Sequence, residues 1–220
     1  MPFQNLFKKQ KFQIVAFLFL IILIVAGFVA MAVKLKNGSN QPLLPVSAIV
    51  VSDQIKGDHE AKIILIEYSD FQCPACAAYQ PIVKQLVEEF KDKIVFAYRH
   101  FPLSQHKNSE SAALAAEAAG KQGKFWEMHD LIFEKQNEWS ESQTAEELFI
   151  KYAETLALNV EQFKKDFDLE EIADKIENDL ISGERVGVNA TPTFFLNGRK
   201  ISPRSYEEFK QLIDSEISIK

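Results

Sequence analysis

Cysteine is almost absent: two residues in 220, three positions apart. A chain so poor in cysteine is not a small secreted domain stapled by several bridges. Glycine and proline are also sparse, eight of each, which excludes collagen-like repeats and low-complexity disorder. Acid is missing from the first 37 residues, which hold Lys8, Lys9, Lys11, Lys34 and Lys36. Because the whole chain carries −6, residues 38–220 carry a net −11. A body that acidic repels phosphate backbones and argues against nucleic acid as a partner.

One apolar run is present. Ile14 to Val33 is twenty consecutive residues without a polar side chain, about 30 Å as a helix, enough to cross the hydrocarbon core. Three lysines precede it and two follow, which favours the N-terminus inside. This gives a cytoplasmic tail at 1–13, a transmembrane anchor at 14–33 and a polar, proline-containing tether at 34–45. A cleaved signal sequence is the alternative, with Ala30-Met31-Ala32 as its cleavage site. Both readings put residues 46–220 outside the cytoplasm, and the anchor reading puts them at the cell membrane.

The body opens on a near-continuous β-rich run, Ile63 to Tyr68, which suits a central strand covered on both faces. Helical spacing follows from Cys73 to Phe90, with Tyr79, Ile82, Val83, Leu86, Val87 and Phe90 on one stripe. Ile94 to Tyr98 is a second strand, so the three make a parallel βαβ unit. Residues 106–187 carry helical patterning only, with helix starts at Thr144-x-x-Glu147 and Asn159-x-x-Gln162. Thr193 to Leu196 and Arg199 to Ile201 flank Asn197-Gly198, a hairpin signal, and Ser205-x-x-Glu208 caps a last helix. A βαβ and a ββα sharing one mixed sheet form a three-layer α/β domain, with the helical block inserted between its halves.

Cys73-Pro74-Ala75-Cys76 stands where the first strand passes into a helix. At a helix N-terminus the unpaired N–H groups and the macrodipole favour an anion, so a Cys73 thiolate there has a lowered pKa. Pro74 suits the first turn because its missing N–H is not needed. The i, i+3 spacing puts both sulfurs on one face, within reach of a disulfide, with Cys76 deeper. Cys73 is then the exchanging sulfur and Cys76 the resolving one. Pro81 removes the bond to the Ala77 carbonyl and is expected to kink the helix. Glu67, in an otherwise apolar strand, is expected to be buried with a raised pKa and to pass protons to or from Cys76; a solvent-facing Glu67 is the alternative. A purely structural disulfide and a zinc site with His100 and His106 are weaker readings, since so short a loop stabilises least and the Cys76-to-His100 gap is too long. Neither a metal nor a cofactor is expected.

With these residues in hand, the chain from about Val46 to Ile217 resembles the DsbA-like thiol–disulfide oxidoreductases of the thioredoxin superfamily. The carriers are IEYSDFQCPAC, AAEAAGKQGKFWEMHDLIFEKQ and VGVNATPTFFLNG. The resemblance implies that Thr191-Pro192 is a cis-proline loop facing the cysteines, that Thr191 offers its backbone to an extended substrate, and that Glu67 is the acid beneath the pair. It also implies that the helical block is a lid. Phe125, Trp126 and Phe133 read as core packing, and Arg99, His100 and His129 as structural or solvent-facing. Where the best-studied members carry a histidine before the second cysteine, this chain has Ala75, which cannot help stabilise a thiolate.

The function expected is a membrane-anchored dithiol oxidase acting on unfolded or partly folded proteins with free cysteines. With no third cysteine in these 220 residues, reoxidation must come from another protein, a quinone-linked membrane thiol oxidase by resemblance. A reductase or isomerase held reduced by a transmembrane donor is the alternative. A non-catalytic binding module, either a metal carrier or a holdase, is the reading from another class.

Overall fold

A computed structural model describes residues 46–219. The tail, the apolar run 14–33 and the tether 34–45 lie outside these residues. Among the described residues no helix is long and apolar enough to cross a membrane.

Five strands form one mixed sheet in the order β1-β3-β2-β4-β5. They are β1 (Gln54–Gly57), β2 (Ile63–Ser69), β3 (Ile94–His100), β4 (Thr193–Leu196) and β5 (Arg199–Ile201). β2 is central: it pairs parallel with β3, Glu67 opposite Tyr98, and antiparallel with β4, Glu67 opposite Phe194. Between β2 and β3 runs α1 (Pro74–Glu89), so the expected strand–helix–strand unit is present. The β4–β5 hairpin turns at Asn197 and Gly198, both at positive φ (49° and 81°), as a type I′ turn demands. The Asn197 side chain also accepts the Ile64 N–H at 2.9 Å, locking the turn to β2. α8 (Tyr206–Ile219) closes the chain, with the Ser205 hydroxyl accepting the Glu208 N–H.

The alternation along β2 explains the layers. Ile63 and Leu65 join the large core under α1 and α8, with Phe96, Tyr98, Phe194 and Phe209. Ile66 and Tyr68 point the other way, into a smaller cluster with Phe101, Val188 and Phe195. That second face is covered by Leu180 and Val186 and by Val46 and Ile49 of the incoming chain. Both faces of the central strand are therefore covered, as its continuous apolar run requires.

The edge strand β1, antiparallel to β3, has no counterpart in the sequence reading. Its four residues QIKG hold one apolar side chain, too few for a period. The incoming chain is fastened instead by a buried pair: the Arg99 guanidinium donates through Nε and Nη2 to Asp53 at 2.8 and 2.9 Å.

Between β3 and β4 the helical stretch resolves into six helices: α2 (Ser109–Gly120), α3 (Phe125–Glu134), α4 (Gln136–Trp139), α5 (Ala145–Thr155), α6 (Val160–Phe167) and α7 (Glu170–Arg185). Asn159 caps α6 by accepting the Gln162 N–H. Thr144 precedes α5 but makes no side-chain cap; its own N–H donates to Ser142 Oγ instead. His100 Nε2 meets Glu117 of α2 at 2.8 Å, and Lys175 of α7 meets Glu117 and Asp179 at 3.0 and 2.8 Å. This buried cluster binds the insertion to β3.

Candidate active site

Cys73 is the N-cap of α1, in extended conformation with Pro74 at the first helical position. Both cysteines are free thiols in this structure. Cys76 is fully buried and Cys73 is 7% exposed, the asymmetry that the i, i+3 spacing requires. The hydrogen bond from the Cys76 thiol pulls the Cys73 pKa down to about 5; burial opposes it, while the N–H groups of Cys76 and Ala75 add to it. Ala75 therefore contributes its N–H although it has no side chain to offer. Burial, then the Cys73 sulfur and the Glu67 carboxylate, push the Cys76 thiol the other way, well above the ordinary thiol value.

Thr191-Pro192 is cis and brings the Thr191 carbonyl to the active sulfur. The Cys73 S–H donates to that oxygen at 3.4 Å. The carbonyl is thus engaged by Cys73 while Cys73 is a thiol, and loses this donor when the thiol ionises. The Thr191 hydroxyl is buried without a hydrogen-bond partner among the described residues.

Glu67 is on the face of β2 that α1 covers, 5% exposed, which rules out the solvent-facing alternative. Burial pushes its carboxyl up to about 7. It also lines a cavity of about 640 Å³ behind α1, walled by Pro81, Phe96, Trp126, His129 and Phe133, with Lys56, Lys84 and Asp130. Neither cysteine lines that cavity. Phe125 and Phe133 are buried core, as expected. Trp126 is only partly buried, donates through Nε1 to the Ile55 carbonyl and carries Lys56 over its ring. Arg99 and His100 have structural partners, whereas His129, paired with Asp130 at 2.9 Å, faces the cavity.

A raised carboxyl pKa has a defined sign for stability. Between pH 4.5 and 7 the native state keeps a proton that the unfolded chain has lost, so this group lowers stability as pH rises, by about 3 kcal/mol in total. Glu67→Gln should remove that fall. Urea unfolding of the disulfide form at pH 4 and pH 8 checks it, and parallel profiles for wild type and variant would count against a buried, titrating Glu67.

Several residues that hold the site were not apparent in the sequence. Gln136 of α4 donates through Nε2 to the carbonyls of Phe71 and Cys73 at 2.7 and 3.1 Å. Gln72 donates to the Ser140 carbonyl and accepts the Asn108 N–H. Asp70 gathers four donors on its carboxylate. The only local signal was an Asx-turn pattern, Asp70-x-Gln72, ahead of the helix.

The family model described as thioredoxin matches residues 50–215. The chain belongs to the thioredoxin family. Within that family its fold is of the DsbA-like kind. It overlays BdbD from Bacillus subtilis with a TM-score of 0.69 and 24% identity, covering 81% of this chain and all of that one. Against alpha-DsbA1 from Wolbachia pipientis the TM-score is 0.68 at 24% identity, over 76% of this chain and 92% of the other. Among curated proteins, the Na(+)/H(+) antiporter NhaA 3 of Salinispora tropica is 37% identical over 149 residues, 67% of this chain. The chain spans under a quarter of the length of such relatives, 22% in that case.

Proposed function

We propose that this thioredoxin-family domain is a protein thiol–disulfide oxidoreductase that works as a dithiol oxidase outside the cytoplasm, held at the membrane by the run Ile14 to Val33. The observation that carries the reading is the geometry of Cys73, which caps α1 ahead of the fully buried Cys76 and faces the cis Thr191-Pro192 loop, with its pKa lowered by the Cys76 thiol.

Magnitudes support this direction of electron flow. A thiol with a pKa of about 5 is about 99% ionised at pH 7, roughly a hundredfold more than an ordinary thiol of pKa 9. Intrinsic nucleophilicity falls with pKa, with a Brønsted slope of about 0.4–0.5, so a drop of four units costs Cys73 nearly the same factor as an attacking group. As a leaving group it suffers no such cancellation, because a low-pKa thiolate leaves faster. The site thus favours the step in which Cys73 departs from a substrate sulfur, the step that completes oxidation.

In that cycle a substrate thiolate attacks the Cys73 sulfur of the Cys73–Cys76 disulfide. Cys76 leaves and takes up a proton, for which Glu67 is the nearby exchanging group. A second substrate thiolate then attacks the substrate sulfur of the mixed disulfide, and Cys73 leaves as a thiolate. The substrate has lost two electrons and the cysteine pair has gained them. Thr191 offers its backbone to an extended segment as an added strand, and Pro192, without an N–H, leaves the approach open. Recognition by main chain fits unfolded or partly folded proteins with free cysteines. A quinone-linked membrane thiol oxidase is the partner for reoxidation.

Trapping the thiols in cells with a mass-tagged maleimide tests the reading. Mostly oxidised Cys73 and Cys76 are expected. A mostly reduced pair would reverse the assignment to a reductase or isomerase fed by a transmembrane donor.

A further inference from the structure

We propose that Asp70 is a positioning residue for Cys76, through which the helical insertion sets the rate at which the Cys73–Cys76 bond opens. The proposal rests on the thiol–disulfide reading above.

Asp70 is 1% exposed and stands between β2 and the cysteine motif. Its main chain touches both cysteines. The N–H donates to Cys76 Sγ at 3.5 Å, and the carbonyl accepts the Cys73 N–H at 3.0 Å. Its carboxylate is filled. Oδ1 accepts the Gln72 N–H at 2.7 Å and the Ser109 hydroxyl; Oδ2 accepts the Leu103 N–H at 2.9 Å and meets His106 Nδ1 at 2.7 Å. A carboxylate has about four lone-pair sites, and all are used. A local turn needs only the Gln72 bond. The other three donors come from beyond β3, from the segment that opens the insertion. They fix the Asp70 peptide so that its N–H keeps facing the deeper sulfur.

That sulfur carries charge at one point in the cycle. When a substrate thiolate bonds to Cys73 Sγ, the Cys73–Cys76 bond breaks and its electron pair goes to Cys76 Sγ. Cys76 leaves as a thiolate and then takes a proton equivalent to the one the attacking thiol gave up. The Asp70 N–H meets that developing charge. Cys76 does not react in the second step, when Cys73 leaves the mixed disulfide. Asp70 therefore acts on the first step alone, and by microscopic reversibility on its reverse. Because Cys76 ends as a neutral thiol, the equilibrium with glutathione changes little.

The test uses the full chain in its disulfide form with reduced glutathione as attacking thiol. Asp70→Ala removes the four anchors and frees the N–H to turn away from Cys76, which should slow the first step about tenfold, the worth of one hydrogen bond to a charged group. Asp70→Asn keeps the Oδ1 contacts and should slow it about threefold. The rate at which a thiol releases glutathione from Cys73 in a Cys76→Ala background should not respond to Asp70→Ala. Should Asp70→Ala fail to fold, Ser109→Ala and His106→Ala each remove one anchor and should each slow the same step about two- to threefold. Glu117→Gln, which breaks the cluster with His100 and Lys175, should lower the melting temperature without changing this rate. A wild-type first step in the folded Asp70 variants, or in both single-anchor variants, overturns the proposal. So does equal slowing of both steps, or equal slowing by Glu117→Gln. An unmodified protein inert to glutathione would instead overturn the redox reading itself.

Discussion

Reducing the Cys73–Cys76 bond should make the stability of the protein climb with pH. In the native state Cys73 ionises at about 5, against 9.0 for an ordinary thiol. Between those values the unfolded chain holds a proton that the native state lacks, so stability rises by about 1.4 kcal/mol per pH unit at most. The contribution is complete above pH 9 and lost as pH falls through 5. For this buried sulfur it is on the order of 2–3 kcal/mol at pH 7. Cys76 adds nothing up to about pH 8, where it is a thiol in both states; above that, its ionisation in the unfolded chain takes back a little of the gain. The disulfide form has neither titration, so subtracting its pH profile isolates Cys73. The constraint the bridge places on the unfolded chain is independent of pH and smallest for so short a loop, so it shifts the difference without changing its slope. Urea unfolding of both forms at pH 5, 7 and 8.5 measures it. Parallel profiles would remove the thermodynamic basis for an oxidising disulfide, since whatever stabilises the reduced form makes the bond easier to reduce.

The largest kinetic effect belongs to Cys76. Once a mixed disulfide has formed on Cys73, Cys76 is the only other thiol in the chain that resolves it from within. Removing an intramolecular reactant costs its effective concentration, which for well-placed groups slows the reaction on the order of a thousandfold or more. In Cys76→Ala the Cys73 thiolate attacks an existing client disulfide and releases one client thiolate, and no internal thiol then reopens the mixed disulfide, so the variant should collect client proteins in cells, bound through Cys73 and released by dithiothreitol. Cys73→Ala should collect none, because the Cys76 sulfur that remains is fully buried and was held as a thiol. Non-reducing gels with mass spectrometry of the adducts give the result. An adduct-free Cys76→Ala protein would point to a binding module that carries the motif without exchange chemistry.

Much of the frame was legible because it rests on periodicity. The run Ile63 to Tyr68 and the stripe from Tyr79 to Phe90 each have enough apolar residues to set a period, and the Asn197-Gly198 turn has a steric reason. What was not legible depends on distance along the chain. β1 carries only Ile55 as an apolar side chain, and Arg99 finds Asp53 46 positions away. The Cys73 motif could be read locally because helix polarity alone favours its thiolate. Asp70 could not, because His106 and Ser109 lie 36 and 39 residues further on, in a stretch whose sequence announces helix and no partner. Glu67 fell between the two cases: its strand was plain, but which way it pointed depended on the register with Tyr98 and Phe194.

The Cys73-to-Thr191 contact spans 118 residues, and this has a consequence for biosynthesis. At roughly 5–20 residues per second the ribosome needs about 6–24 s to make that stretch. During that interval the nascent Cys73 lacks the loop that faces it. Its sulfur already has the Cys76 thiol and the N–H groups of Cys76 and Ala75 beside it, so the thiolate is favoured before the loop exists. What waits for the second half of the sheet is the Thr191 backbone, so the early chain carries its low-pKa sulfur before it has the loop that faces it.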